Sequence, residues 1–214
     1  MTRLRTPGRW ALWITLLVLS ACSSPGGWFP RSSCLVVPAS TDDLPAALAL
    51  RTRMHLTAGK QSVHLETVAQ RVGERLMVVG LSNYGIRLFA VQQNGQELAI
   101  EGVDSRNLEI LARWVMDALH RIYWIQPPAD GSGSPLAKWD WAGETVIESR
   151  TPSGRRRQFV RGANASARVT IDYPDGVGSG VEIRNPPCGY DARVIVLEAS
   201  PALRDFVAGA VAAD

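Results

Sequence analysis

The sequence predicts a mainly β domain of α+β class: one curved, open antiparallel sheet of about eleven strands with a single internal helix as its lid. Three observations carry this. Most of the chain alternates apolar and polar residues with period two, in short runs ended by glycine, proline or asparagine. One central stretch changes to helical spacing. Helices do not alternate with strands, so the crossovers a parallel sheet needs are missing.

Taken in order, the first strands are Leu50–Thr57, Ser62–Gln70, Arg75–Leu81, Ile86–Gln92 and Glu97–Val103. They are separated by Ala58-Gly59, Val72-Gly73, Asn83-Tyr84-Gly85 and Asn94-Gly95. Asn94-Gly95 is the strongest hairpin signal, because a type I′ turn wants positive φ at both central residues. The spacing of Leu108, Leu111, Ala112, Val115, Leu119 and Ile122 then predicts a helix, with Arg113, Asp117 and Arg121 on its other side. Asp104 or Ser105 can cap its start, and Pro127-Pro128 prevents its continuation. Asp130–Pro135 reads as a flexible loop. Six more strands follow: Leu136–Trp141, Glu144–Arg150, Arg156–Arg161, Ala167–Tyr173, Val181–Asn185 and Arg193–Ala199. Ser200-Pro201 opens a short terminal helix.

Leu76–Val79 and Val194–Leu197 are apolar on both faces, whereas an antiparallel sheet usually keeps one face solvated. A sheet this wide curls, and a helix of about 18 residues, roughly 27 Å long, cannot fill its concave side alone. Side chains or an apolar guest must complete it, and the sequence leaves both open. The candidate cavity lining is Leu108, Leu111, Ala112, Val115, Leu119, Ile122, Trp124 and Trp139, with Trp114 and Trp141 nearby as core.

The amino terminus reads as a secretory signal. Arg3, Arg5 and Arg9 precede Trp10–Leu19, an apolar run interrupted only by Thr15 and too short to span a bilayer. Leu19-Ser20-Ala21-Cys22 resembles the lipobox of bacterial lipoproteins. That resemblance implies cleavage after residue 21, acylation of Cys22 (palmitate among the chains) and, with Ser23 following, the periplasmic face of the outer membrane. An ordinary signal peptide is the alternative. The organisation expected is therefore a signal peptide at 1–21, a lipidated cysteine and linker at 22–33, and one domain at 34–214. Without the three signal arginines, the 23 Lys+Arg and 20 Asp+Glu fall to 20 of each, so charge gives no case for nucleic-acid binding. In an oxidising compartment the remaining Cys34 and Cys188 predict a disulfide, with two separate buried thiols as the alternative.

Catalytic and metal signals are weak. Gly176-Val-Gly-Ser-Gly180 fits neither a nucleophile elbow nor a P-loop. His55 and His64 lie in strands without ligand spacing, and His120 falls near a helix end where a cation is welcome. No metal, no cofactor and no enzymatic activity are expected. Arg155-Arg156-Arg157 follows a turn and is either a solvated hairpin tip or a patch for anionic head groups.

The lipobox, Val79–Val91, the Asn94-Gly95 hairpin, the helix ending His120-Arg-Ile-Tyr-Trp124 and Ala167–Tyr173 together resemble an uncharacterised outer-membrane lipoprotein family associated with aryl-polyene biosynthesis. The element order is also similar to the LolA/LolB lipoprotein carriers, which implies an open half-barrel whose hydrophobic cavity is capped by helices. Ser82-Asn83-Tyr84-Gly85 sits where the LolB family carries a membrane-contact loop, which puts Tyr84 at its apex, although the family's proline and aliphatic residue are missing. The resemblance implies binding of a lipid or acylated molecule, exchange with a periplasmic carrier protein, and delivery to the inner leaflet of the outer membrane. The alternative is a non-transporting lipoprotein that docks an assembly partner.

Overall fold

The computed structural model describes residues 38–127, 136–162, 168–175 and 180–209. The strands are β1 (Ala49–Ala58), β2 (Gln61–Val72), β3 (Arg75–Ser82), β4 (Arg87–Asn94), β5 (Glu97–Glu101), β6 (Leu136–Trp141), β7 (Glu144–Thr151), β8 (Gly154–Val160), β9 (Arg168–Pro174), β10 (Val181–Asn185) and β11 (Tyr190–Ala199). Helix α1 (Arg106–Leu119) lies between β5 and β6 and runs straight into a π-helical turn, His120–Trp124; α2 (Pro201–Gly209) follows β11. The expected signal peptide, lipidated Cys22 and linker, Cys34, the expected loop at 130–135 and the glycine-rich 176–179 lie outside the described residues.

All eleven strands form one antiparallel sheet in the order β5-β4-β3-β2-β1-β11-β10-β9-β8-β7-β6. Two meanders meet where β1 pairs with β11, from Leu50 opposite Ala199 to Thr57 opposite Asp191. The edge strands β5 and β6 do not pair, so the sheet is open and not a closed barrel. Because those edges are consecutive in the chain, the segment joining them must cross one face of the sheet. That segment contains α1.

Two adjacent residues show how far the sheet bends. His120 Nε2 lies 2.9 Å from Gln93 Oε1 on β4, and Arg121 donates to Glu144 Oε2 on β7 at 2.8 Å. β4 and β7 stand second and tenth in the sheet. Laid flat at about 4.8 Å per strand they would be roughly 38 Å apart, beyond the reach of neighbouring side chains. The sheet must therefore curl around α1, and the expected half-barrel with an internal helix is what forms.

Curling corrects one expectation about the helix. Asp117 and Arg121, predicted on its outer side, are 2% and 5% exposed, because that side meets β7, β10 and β11 instead of water. Arg113 alone between Leu111 and Trp124 remains exposed, paired with Glu109 one turn earlier at 2.9 Å. Ser105 is the N-cap, its Oγ accepting from the Leu108 N–H.

Alternation fills the space between. Leu50, Met54, Leu56, Leu65, Leu76, Val78, Phe89 and Val91 point inward from β1–β4. Gly80 on β3 leaves room for the Phe89 ring: a Cβ there would lie 2.3 Å from Phe89 Cζ. Residues preceding β1 close one end, with Ala39 hydrogen bonded to both His120 and Gln93 and Thr41 bonded to Gly95. Cys188 is buried and disulfide-bonded; the pairing with Cys34 predicted from the sequence falls on a residue outside those described.

Candidate functional site

The interior around α1 has two chemistries. On the β1–β4 side it is apolar, apart from a Thr52–Thr67 hydroxyl pair at 2.6 Å and Gln93. On the β7–β11 side apolar residues such as Val146, Phe159, Ile171 and Val194 enclose a buried charged and hydrogen-bonded cluster. Asp117 is the centre of that cluster: it accepts from Arg121 Nε at 2.9 Å, from Asn185 Nδ2 at 2.7 Å and from the Tyr190 hydroxyl at 2.7 Å. Arg121 also donates to Glu144, and its guanidinium lies 4.6 Å from the Phe159 ring centre. Arg157, fully buried on β8, donates to Glu148 at 2.7 Å and to the carbonyls of Arg121 and Ile125. The Tyr173 hydroxyl donates to the Ile122 carbonyl at 2.9 Å.

These bonds have a local cause. The π-helical turn releases carbonyls from the regular i to i−4 ladder, and buried carbonyls need donors. Arg157 and Tyr173 supply them from neighbouring strands. Burial works against the charge on Arg121, but Asp117 and Glu144 outweigh it and its pKa is raised. Tyr190 is raised well above the ordinary phenol value, first by burial and then by the Asp117 charge. His120 is driven down to about 3, first by burial and then by Arg121. Its Nδ1 accepts from the Ala39 N–H, so Nε2 carries the proton and donates to Gln93. The expectation of a welcome cation at this helix end fails for that reason: the imidazole is enclosed and neutral.

Not every polar atom here is satisfied. The Tyr123 hydroxyl, Trp124 Nε1, Trp139 Nε1 and Arg157 Nη2 are buried without a hydrogen-bond partner. Arg157 sits 5.6 Å from the ring centres of both Trp139 and Tyr173, which places three of the interior's polar aromatic or cationic groups on β6, β8 and β9 together beside the π-turn.

Among the predicted lining residues, Leu111, Ala112, Val115, Leu119, Ile122 and Trp124 are 0–2% exposed, while Leu108 and Trp139 are half-buried against the same core. The first six belong to one packed cluster with the inward side chains of the strands among the described residues. The predicted arginine patch is divided by strand alternation. Arg155 and Arg157 turn inward and share Glu148, and only Arg156 faces out, bonded to Asp172 at 2.6 Å. Three consecutive strand residues cannot share one face. Tyr84 does stand at a hairpin apex, 91% exposed, with Ile86 beside it at 65%.

Sequence reasoning missed the interior charge network. The available signal was Asp117 and Arg121, one turn apart, in a stretch otherwise apolar or aromatic from Trp114 to Trp124 apart from His120. A charged pair there implies an enclosed partner set rather than a wet face. Among the described residues no group of three or more histidine, cysteine or acidic side chains could hold a metal, and no helix is long and apolar enough to cross a membrane.

A comparison with curated proteins finds no match. Among solved structures, a DUF1329 family protein from Desulfovibrio piger is similar at 8% identity over 74% of this chain and 86% of that one, with a TM-score of 0.25. Residues 49–194, spanning β1 into β11, match the family described as "Protein of unknown function (DUF3261)". The sheet up to the middle of β11, its enclosed helix and the polar cluster at the helix end lie within that match, and the chain belongs to the DUF3261 family.

Proposed function

We propose that this protein is a non-enzymatic lipoprotein, anchored through Cys22 to the periplasmic face of the outer membrane, that binds an amphipathic acylated molecule and assists its delivery there. The guest would be a lipoprotein acyl group or an aryl-polyene lipid, handed over by a periplasmic carrier. Its chain would lie along β1–β4 in the place α1 occupies, with its polar head at the β6–β9 side. Tyr84 and Ile86 would touch the membrane, since a tyrosine ring is apolar while its hydroxyl stays wet.

One observation carries this reading: the four unpartnered polar atoms on and beside the π-turn, from Tyr123, Trp124, Trp139 and Arg157. Each buried donor without an acceptor costs about 1–3 kcal/mol. A permanently packed scaffold has no use for that cost, whereas a head group rich in oxygen acceptors would remove it. The π-turn at the same place is a helix form that recurs at functional sites.

The second reading, a closed lipoprotein that docks an assembly partner, is favoured by the 0–2% exposure of the lining and by the ion pairs that tie α1 to the sheet. Native mass spectrometry separates the two. A soluble Cys22→Ala form without residues 1–21, purified from its own host, should carry one co-purifying lipid per chain under the carrier reading. Repeated preparations free of lipid would leave only the scaffold.

A further inference from the structure

His55 and His64 lie directly opposite each other on β1 and β2. Both belong to the outward rows of their strands, so they stand outside the sheet, away from the helix and its charge network. Their rings are stacked, with centroids 4.0 Å apart and planes 5° from parallel. Among the described residues neither ring has a hydrogen bond or ion pair, in contrast to His120, both of whose nitrogens are used inside.

From this geometry we propose that His55 and His64 form a two-imidazole site for a late divalent transition-metal ion, of the Cu(II), Ni(II) or Zn(II) class. Neutral imidazole is the side chain those ions prefer, through one ring nitrogen at about 2.0–2.1 Å. Two such bonds at near right angles need nitrogens roughly 3 Å apart. Stacked rings hold their lone pairs in parallel planes, so binding requires one or both exposed rings to swing about χ1 and χ2 until two lone pairs converge on the ion, and nothing bonded to either ring opposes that swing. The backbone pairing brings both rings to one spot before any ion arrives. A groove of about 280 Å³ adjoins His55, with Glu182 and Asp191 and also Arg184 and Arg193 on its wall. The four charges balance, so the imidazoles supply the affinity, and the groove has room beside His55 for waters that complete the coordination. Arg193, opposite His55 on β11, has Glu182 opposite it in turn on β10. The site shares no residue with the interior, so it stands or falls apart from the carrier reading.

The test uses the tag-free mature Cys22→Ala protein titrated separately with Cu(II) and Ni(II) by isothermal calorimetry. Saturable binding of one ion per chain is expected, weakened at least tenfold in both His64→Gln and His55→Gln. His64 is exposed, so its substitution leaves the fold intact, and an unchanged thermal melt verifies this. No saturable binding, or binding equally tight in His64→Gln, overturns the proposal.

Discussion

Asp117 and Arg121, one turn apart on α1, form a 2.9 Å ion pair with side chains only 3% and 6% exposed. Such i,i+4 pairs usually decorate the wet face of a helix, where they contribute a few tenths of a kcal/mol. Here the sheet has closed over that face, and Glu144, Asn185 and Tyr190 complete the set.

Removing one member should therefore be severe. Arg121→Met leaves Asp117 and Glu144 buried without the guanidinium between them, a change that typically costs about 3–5 kcal/mol. Urea unfolding of the soluble domain measures it. A loss under about 1 kcal/mol would mean that water reaches this network.

His120 sets an acid limit on stability. Its folded pKa of about 3 lies below the unfolded value near 6.5, so between those values the unfolded chain binds the extra proton and stability falls as pH falls. From pH 7 to pH 5 this single group should remove about 2 kcal/mol. His120→Gln should lose that much less than the parent over the same interval, with other acid-sensitive groups common to both. Equal pH dependence in the two proteins would show that His120 is reached by solvent.

Gly80→Ala should destabilise by about 1–3 kcal/mol, since its Cβ meets three carbons of the enclosed Phe89 ring at 2.3–2.8 Å. The double variant Gly80→Ala with Phe89→Leu should recover part of the loss, because leucine withdraws from that point. Thermal melts of the single and double variants decide it, and additive losses would place Phe89 elsewhere.

The strand pattern was legible because alternation and turn residues are local signals: Leu136–Trp141 and Val181–Asn185 match to the residue, and the hairpin expected at Asn94-Gly95 forms one residue on, with Asn94 paired to Glu97 and Gly95-Gln96 as its turn. What sequence could not give was the closure of the sheet. The destinations of Asp117, Arg121 and Arg157 depend on strands far away in sequence, and no local period encodes that Glu144 and Gln93 approach the same helix end. The Arg155–Arg157 run was misread for a nearby reason: β8 starts at Gly154, so alternation already governs all three residues.

Tyr84→Ser should leave stability within about 0.5 kcal/mol, because the ring is almost wholly in water. The same change, alone or with Ile86→Ser, should reduce sedimentation of the soluble domain with phospholipid vesicles. Unchanged co-sedimentation would remove this hairpin from membrane contact.

Hydrogen exchange across residues 106–125, followed with and without a bound long-chain lipid, tests the central claim most directly. If a guest takes the place of α1, lipid should speed exchange of its amides at least tenfold while β1 and β11 stay protected. Slow exchange of the helix in a saturated lipid complex would contradict the account and make α1 a fixed part of the core.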